Sequence, residues 1–422
     1  PLPFSLVTTT PVKRTFLFGS DRTFSRCASK RLDVAHLIST GVLASVCPRE
    51  LVEEVLLETG RASQRKRLLP APAVVYYVMA LALWREAPLE EVLRIVCEGL
   101  HWLGGGQGCS EAVKLPNKGS ISKARSRLGA QVMEQLARRV LRPLARAGAP
   151  GAWYRHLRLM AIDGTCLDVA DEQANALHFG YPGASRGASA FPQLRVLGLI
   201  ECGTHAITAA ELAPCAQGEQ RLAERLLPGR LQPDMLVLAD RGFYSFKLWQ
   251  MAQLNQARLL WRVRSSLKLP VQQRLPDGSY LSTVYDSDDR QRRCGQVVRV
   301  IEYTLTDRAA PVQDSYRLIT NILDPEWAPA EQLAGLYHQR WEIESVFDEF
   351  KTHLRGASTV LRSKTPELVQ QELWGLLLAH FGVRQLMAQA AWQQQKDPDE
   401  LSFVHAVRVI KRKLPQAAAI PP

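Results

Sequence analysis

The chain has 422 residues, 46% hydrophobic and 22% charged, with 27 glycines and 25 prolines, which excludes a disordered chain, a collagen-like polymer and a small disulfide scaffold. At about 150 residues per domain, the length points to about two or three domains with room for a large core. Lysine and arginine outnumber the acidic residues by 53 to 41, a net charge of +12 that suits a polyanionic partner.

Residues 1–33 mix turn-forming and apolar content, lack the pattern of a secretory leader and receive no assignment. Residues 34–146 read as helical, with apolar residues at three- and four-residue spacing over Glu50 to Glu58, Ala73 to Trp84 and Leu89 to Leu103. The longest apolar run, Ala73 to Trp84, is little more than half of the ~20 residues a membrane span needs, so no membrane association is expected. The glycine-rich loop Gly104 to Gly108 lacks the Gly-Lys-Ser/Thr ending of a phosphate-cradling loop. Ser120 or Ser122 can cap a helix running to Leu128, and Gly129 separates it from a second, Gln131 to about Arg142, which Pro143 ends. Two short helices joined at a glycine resemble a helix-turn-helix. From Lys114 to Arg146 there are nine basic residues against one acid, Glu134, a local +8. Such a segment suits phosphate contact as well as a solvated helix face.

Ala147 to Gly151 reads as a linker. Short apolar runs at Leu157 to Ile162, Leu194 to Glu201, Ile207 to Leu212 and Met235 to Ala239 read as strands, with helices at Glu219 to Leu227 and Phe246 to Ala257. Strands interleaved with helices argue an α/β layer fold over 157–262. Residues 263–325 are β-rich, and a long helix from Pro329 to Leu354 opens the last region, 326–422. The eight cysteines, at 27, 47, 97, 109, 166, 202, 215 and 294, never fall as Cys-x-x-Cys and read as reduced thiols of a cytoplasmic protein.

Asp163 follows the apolar strand Leu159 to Ile162, and Asp240 follows Leu236 to Ala239. Ligands of α/β sheets sit at the carboxyl ends of strands, so both carboxylates are placed to converge there. Asp168 competes with Asp163, but five residues on in a continuous strand it points to the other face. On the long helix Tyr337, Arg340, Glu344 and Lys351 fall at offsets 0, 3, 7 and 14. At about 100° per residue these four share a sector of about 60°. The same spacing also describes an ordinary amphipathic helix with an Arg340–Glu344 ion pair, and periodicity does not choose between Glu344 and Asp348 as acidic ligand. Three carboxylates are hard oxygen ligands suited to two Mg²⁺ ions and phosphodiester chemistry, with Arg and Lys neutralising flanking phosphates. No His or Cys pair has zinc spacing.

Asp163-Gly164-Thr165, Ala239-Asp240-Arg241-Gly242-Phe243 and Tyr337-His338-Gln339-Arg340-Trp341-Glu342-Ile343-Glu344 resemble the bacterial DDE transposases of insertion sequences, in the branch of insertion-sequence family four marked by Tyr-x2-Arg-x3-Glu-x6-Lys. The resemblance continues through Leu361 to Pro366 and into the helical region at Arg67 to Pro70 and Ser122 to Gly129. It implies a ribonuclease-H-like catalytic core, interrupted by a β-rich insertion domain at 263–325 and preceded by an all-α DNA-binding domain at 34–146. By analogy Asp163, Asp240 and Glu344 would be the catalytic metal ligands for two Mg²⁺ ions. Tyr337, Arg340 and Lys351 would hold phosphates of the transposon end, and Lys123, Arg125 and Arg127 would serve the DNA-binding module. The implied partners are the terminal inverted repeats, target DNA and a second copy in a homodimeric synaptic complex, in the bacterial cytoplasm at the nucleoid. Alternatives are a relative that binds DNA without catalysis and a nuclease or resolvase on the same core.

Overall fold

The computed structural model describes residues 41–65, 69–99, 116–183, 190–304, 315–339, 346–349 and 360–413. The leader 1–33 and the glycine-rich loop Gly104 to Gly108 lie outside them. The amino-terminal helices α1 (Val42–Val46), α2 (Arg49–Glu58), α3 (Ala71–Leu83) and α4 (Leu89–Gly99) follow the apolar spacing of the sequence. In α5 (Lys118–Val140) the cap is Asn117 rather than Ser120 or Ser122, its side chain accepting from the Ser120 amide at 2.9 Å. Gly129 breaks α5 at φ +75°, a backbone conformation that costs a glycine nothing, so the two expected helices are halves of one kinked run.

The sheet begins with β1 (Trp153–Tyr154) and β2 (Leu157–Asp168). After α6 (Gln173–Phe179) come β3 (Gln193–Glu201), β4 (Ala206–Pro214), α7 (Glu219–Leu226), β5 (Met235–Ala239), α8 (Phe246–Leu254) and β6 (Arg258–Arg262). The strands β2, β3 and β4 form an antiparallel meander, while β5 joins β2 and β6 joins β5 in parallel. Next come β7 (Gln273–Arg274), β8 (Tyr280–Val284), β9 (Gln296–Thr304) and β10 (Ser315–Thr320). Among the described residues, the strands of the β-rich stretch 263–325 are continuous with the sheet of the preceding region. Strand β10 pairs antiparallel with β6, so ten strands make one sheet in the order β4-β3-β2-β5-β6-β10-β9-β8-β7, with β1 beside β2. Pairing to β10 satisfies the backbone groups that β6 would otherwise expose at an edge.

The chain then runs through α9 (Ala330–Gln339), a helical turn at 346–349, α10 (Pro366–Gln393) and α11 (Phe403–Lys413). Helices α7 and α8 bury Leu222, Leu226, Leu248 and Trp249 against one face of the sheet. On the other face α10 is the centre of a core that also takes in α1 to α5. Eleven of the thirteen residues of α3 are buried, and such a helix needs neighbours on every side. Two glycines seven residues apart on α10, hence on one helical face, allow the closest approaches. A Cβ on Gly375 would lie 2.7 Å from Val78 of α3, and one on Gly382 would lie 2.7 Å from Val46 of α1. The described helices within 34–146 thus share their core with a helix that begins 220 residues after Arg146, as sequence periodicity alone does not reveal. Among the described residues no helix is long and apolar enough to cross a membrane, and Cys47, Cys166, Cys202, Cys215 and Cys294 form no disulfide.

Candidate active site

The last parallel partners of β2 and β5 are Ile162 and Ala239, so Asp163 and Asp240 are the next residues along two chains that the sheet spaces about 4.8 Å apart. Ala239 in turn pairs with Trp261, which makes Arg262 of β6 the third member of the same row. Side-chain alternation sets the face they share. Leu159, Ala161, Leu236, Leu238 and Leu260 point into the core under α10, whereas Ile162, Ala239 and Trp261 point to the core under α7 and α8. Asp163, Asp240 and Arg262 thus project on the α10 side.

β2 does not stop at Ile162, as the apolar run alone suggests. It continues beside β3 to Asp168, with Asp163 opposite Gly198 and Asp168 opposite Gln193. Only the β5 side opens at this level, because the chain turns away after Asp240, whose carbonyl accepts from the Phe243 amide at 3.0 Å. Asp168 falls on the opposite face from Asp163 and accepts a bond from Gln193 Nε2 at 2.8 Å.

Asp163 Oδ1 accepts from the Gly164 amide at 2.9 Å. Asp240 Oδ1 accepts from the Tyr337 hydroxyl at 3.2 Å and lies 3.9 Å from Arg262 Nη1. Tyr337 is fully buried, with its hydroxyl on the second carboxylate. Arg262 is held in turn, its guanidinium 4.1 Å above the Tyr316 ring, and Tyr316 stacks on Tyr303 at 5.3 Å. Burial raises the Tyr303 phenol well above its usual range, which favours its neutral form. Trp327 packs instead against Tyr154 and His156. Sequence reasoning missed Arg262. The available signal was its position one residue beyond the apolar run Leu259 to Trp261, the offset that Asp163 and Asp240 share.

Two carboxylates adjacent on one face are hard oxygen donors that fit a divalent cation such as Mg²⁺. Among the described residues no third acidic, histidine or cysteine side chain joins them. Arg340, Glu344 and Lys351 lie outside the described residues. The turn just after Glu344 is described. Val346 and Phe347 are buried, and the Phe347 ring lies 3.6 Å from where a Cβ of Gly198 would be, next to Asp163 across the β2–β3 ladder. Asp348, the alternative acid, is exposed.

The basic segment divides differently from expectation. Lys123 and Arg127, four residues apart on α5, are exposed on one face. Arg125 is buried, donating from Nε to Gln371 Oε1 at 2.9 Å and from Nη2 to Ser363 Oγ at 3.0 Å and the Leu368 carbonyl at 3.1 Å. Its guanidinium braces α5 against α10 and is not presented to DNA. The signal was in the sequence, since Ile121, Ala124 and Leu128 mark the inward stripe and Arg125 falls on it at i+4. Farther along α5, Arg138 pairs with Glu134 at 2.8 Å and Arg139 with Glu54 at 3.1 Å, so part of the local positive charge is offset within the protein.

The family described as Insertion element 4 transposase N-terminal matches residues 37–138, and the family described as Transposase DDE domain matches residues 155–381. The chain is 28% identical over 374 residues to the transposase InsG for insertion sequence element IS4 of Escherichia coli strain K12, covering 86% of this chain and 80% of InsG. It is 26% identical over 219 residues to InsZ of the same strain, covering 52% of this chain and 68% of InsZ. A cryo-EM structure of the piggyBac transposase synaptic complex with hairpin DNA aligns over 90% of this chain and 79% of its own at a TM-score of 0.42 and 11% identity. With the paired carboxylates inside a DDE-domain match that spans more than half of the chain, and the helices ahead of them inside the amino-terminal match, the chain belongs to the IS4 family of DDE transposases and is an enzyme of that class.

Proposed function

We propose that this transposase binds the terminal inverted repeats of an insertion sequence and cleaves and joins DNA strands at a site made of Asp163, Asp240 and Glu344. The observation that carries the reading is the shared row of Asp163, inside β2, and Asp240, just past the end of β5, with Tyr337 of the Tyr-Arg-Glu-Lys motif bonded to Asp240. The strand order β4-β3-β2-β5-β6, an antiparallel meander continued by two parallel strands, supports a ribonuclease-H-like core. Two Mg²⁺ ions held by the three carboxylates would polarise the attacking water or 3′-hydroxyl and stabilise the leaving oxygen.

The protein's own part is geometric. Tyr337 and Arg262 fix the Asp240 carboxylate from two sides, and the Gly164 amide orients Asp163. Arg262 also lies beside Asp240, where a guanidinium can donate two parallel bonds to a DNA phosphate. By the motif Arg340 and Lys351 are assigned to DNA phosphates, and exposed Lys123 and Arg127 to the backbone of the end. Two copies on paired ends form the synaptic complex.

The test is single-turnover reaction of a labelled terminal repeat with wild type, Asp163→Asn, Asp240→Asn and Glu344→Gln. The expectation is loss of cleavage in each variant with end binding retained. Binding without cleavage by the wild type identifies a catalytically inactive relative, and cleavage without joining identifies a nuclease. Full cleavage by Glu344→Gln moves the third ligand to Asp348.

A further inference from the structure

The turn at 346–349 is held from two sides. Phe347 rests on β3 at Gly198, beside Asp163. On the other side Glu349 is buried against α10, where Arg384 donates to it from both Nε, at 3.0 Å to Oε2, and Nη2, to Oε1. His380, one helical turn before Arg384, brings Nε2 within 3.3 Å of the same carboxylate. Arg384 Nη2 also donates to His205 Nδ1 at 2.6 Å in the β3–β4 turn, and His205 Nε2 lies 3.4 Å from Asp399. Glu349 therefore engages α10 directly and, through Arg384, the β3–β4 turn and the residues before α11.

Such a network is a poor device for stability alone, because desolvating the charges offsets much of their attraction. Val346 and Phe347 already bury the turn with apolar contacts, which tolerate sliding. A two-pronged guanidinium–carboxylate contact instead fixes distance and angle. We propose that Glu349 and Arg384 are a positioning pair, which sets where the chain leaving Glu344 lies relative to Asp163 and Asp240. The inference rests on the reading of Glu344 as the third carboxylate, five residues ahead of Glu349. Neither residue touches DNA in this role, and both act through the geometry of the carboxylate set.

The experiment uses the full chain bound to a terminal-repeat duplex and compares Glu349→Gln and Arg384→Lys with the packing control Val346→Ala. Mn²⁺ affinity is read by electron paramagnetic resonance, the Mg²⁺ concentration for half-maximal cleavage by single-turnover kinetics, DNA affinity in chelator, and the thermal midpoint by circular dichroism. Loss of support behind a metal ligand weakens metal affinity about 10- to 100-fold, so both pair variants are expected to show that weakening with end binding retained. Val346→Ala should lower the midpoint and leave the metal requirement within about twofold of wild type. Wild-type Mn²⁺ affinity in both pair variants overturns the proposal, whatever their midpoints, and so does an equal metal effect in Val346→Ala. If Glu349→Gln does not fold, Arg384→Lys decides by the same reading, since it keeps the charge and loses the fork. Glu344→Gln separates the two layers. Inactive Glu344→Gln beside wild-type metal binding in Glu349→Gln refutes the positioning role alone, whereas active Glu344→Gln removes the reading beneath it.

Discussion

Replacing Arg125 by Ala separates a structural arginine from a DNA-binding one. The side chain is buried and satisfies Gln371 Oε1, Ser363 Oγ and the Leu368 carbonyl, three acceptors on or next to α10. Leaving a buried acceptor unsatisfied costs about 1–3 kcal/mol, and removing one member of a buried charged network about 3–5 kcal/mol in all. Ser363 and Gln371 keep the bonds they themselves donate, to Glu372 and to the Gly129 carbonyl, so both side chains stay held and the lower end applies. A loss of about 3 kcal/mol corresponds to a fall of roughly 6 °C in midpoint at about 2 °C per kcal/mol. Lys123→Ala and Arg127→Ala touch exposed side chains and should change stability by no more than about 0.5 kcal/mol. Each should weaken end binding and lower the salt slope of log K by about 1, because one fewer counterion is displaced. Thermal melts paired with salt-titrated binding at 15 °C, where the Arg125→Ala protein is still folded, supply both numbers. An Arg125→Ala protein that melts like wild type but binds with a reduced salt slope refutes the bracing role.

Three further outcomes are expected. Tyr337→Phe keeps the buried ring and removes only the hydroxyl on Asp240, so cleavage should slow about tenfold, some 1.4 kcal/mol, with end affinity in chelator unaltered; an unchanged rate contradicts the contact. Gly375→Ala drives a Cβ to 2.8 Å from the Val78 carbonyl and should cost about 1–3 kcal/mol in urea denaturation, whereas Gly198→Ala, whose Cβ meets Ile200 at 3.4 Å and Phe347 at 3.6 Å, should be tolerated. Burial and the neighbouring Arg384 hold His205 down at about 3, and burial raises Asp399 to about 6. The lowered histidine stabilises the fold above about pH 6.5 and loses that contribution as pH falls, while the raised carboxyl contributes at low pH and loses it as pH rises through about 6. Asp399→Asn removes the opposing contribution, so between pH 7.5 and 5.5 its stability should fall more steeply than wild type by about 1 kcal/mol, and parallel urea profiles at the two pH values refute the assignment.

Much of the site was legible in local pattern. Alternation within β2 is enough to separate Asp163 from Asp168, because side chains reverse face at every residue of a continuous strand. The apolar runs ahead of Asp163 and Asp240 marked both carboxylates, although β2 runs on past Asp163 to Asp168, and the motif from Tyr337 to Lys351 named the family that the comparisons support. Arg125 was grouped with Lys123 and Arg127, although the stripe of Ile121, Ala124 and Leu128 had marked its face as inward. Charge density drew attention outward, while helical phase placed the residue inward.

Local periodicity determined which residues face which side, since that depends only on the 3.6-residue helix and the two-residue strand. Tertiary structure alone decided which sides meet. The register that sets Ile162 against Ala239 joins segments 77 residues apart, and nothing in either strand specifies it. The same pairing of distant strands brought Arg262 into the row and carried β10 onto the edge of β6. The amino-terminal helices and α10 share a core because Gly375 and Gly382 permit backbone approach, a property of two surfaces together rather than of either sequence. Non-local contacts are selected by the shape and burial of the whole chain, and for that reason the row of Asp163, Asp240 and Arg262 exists only in the folded protein.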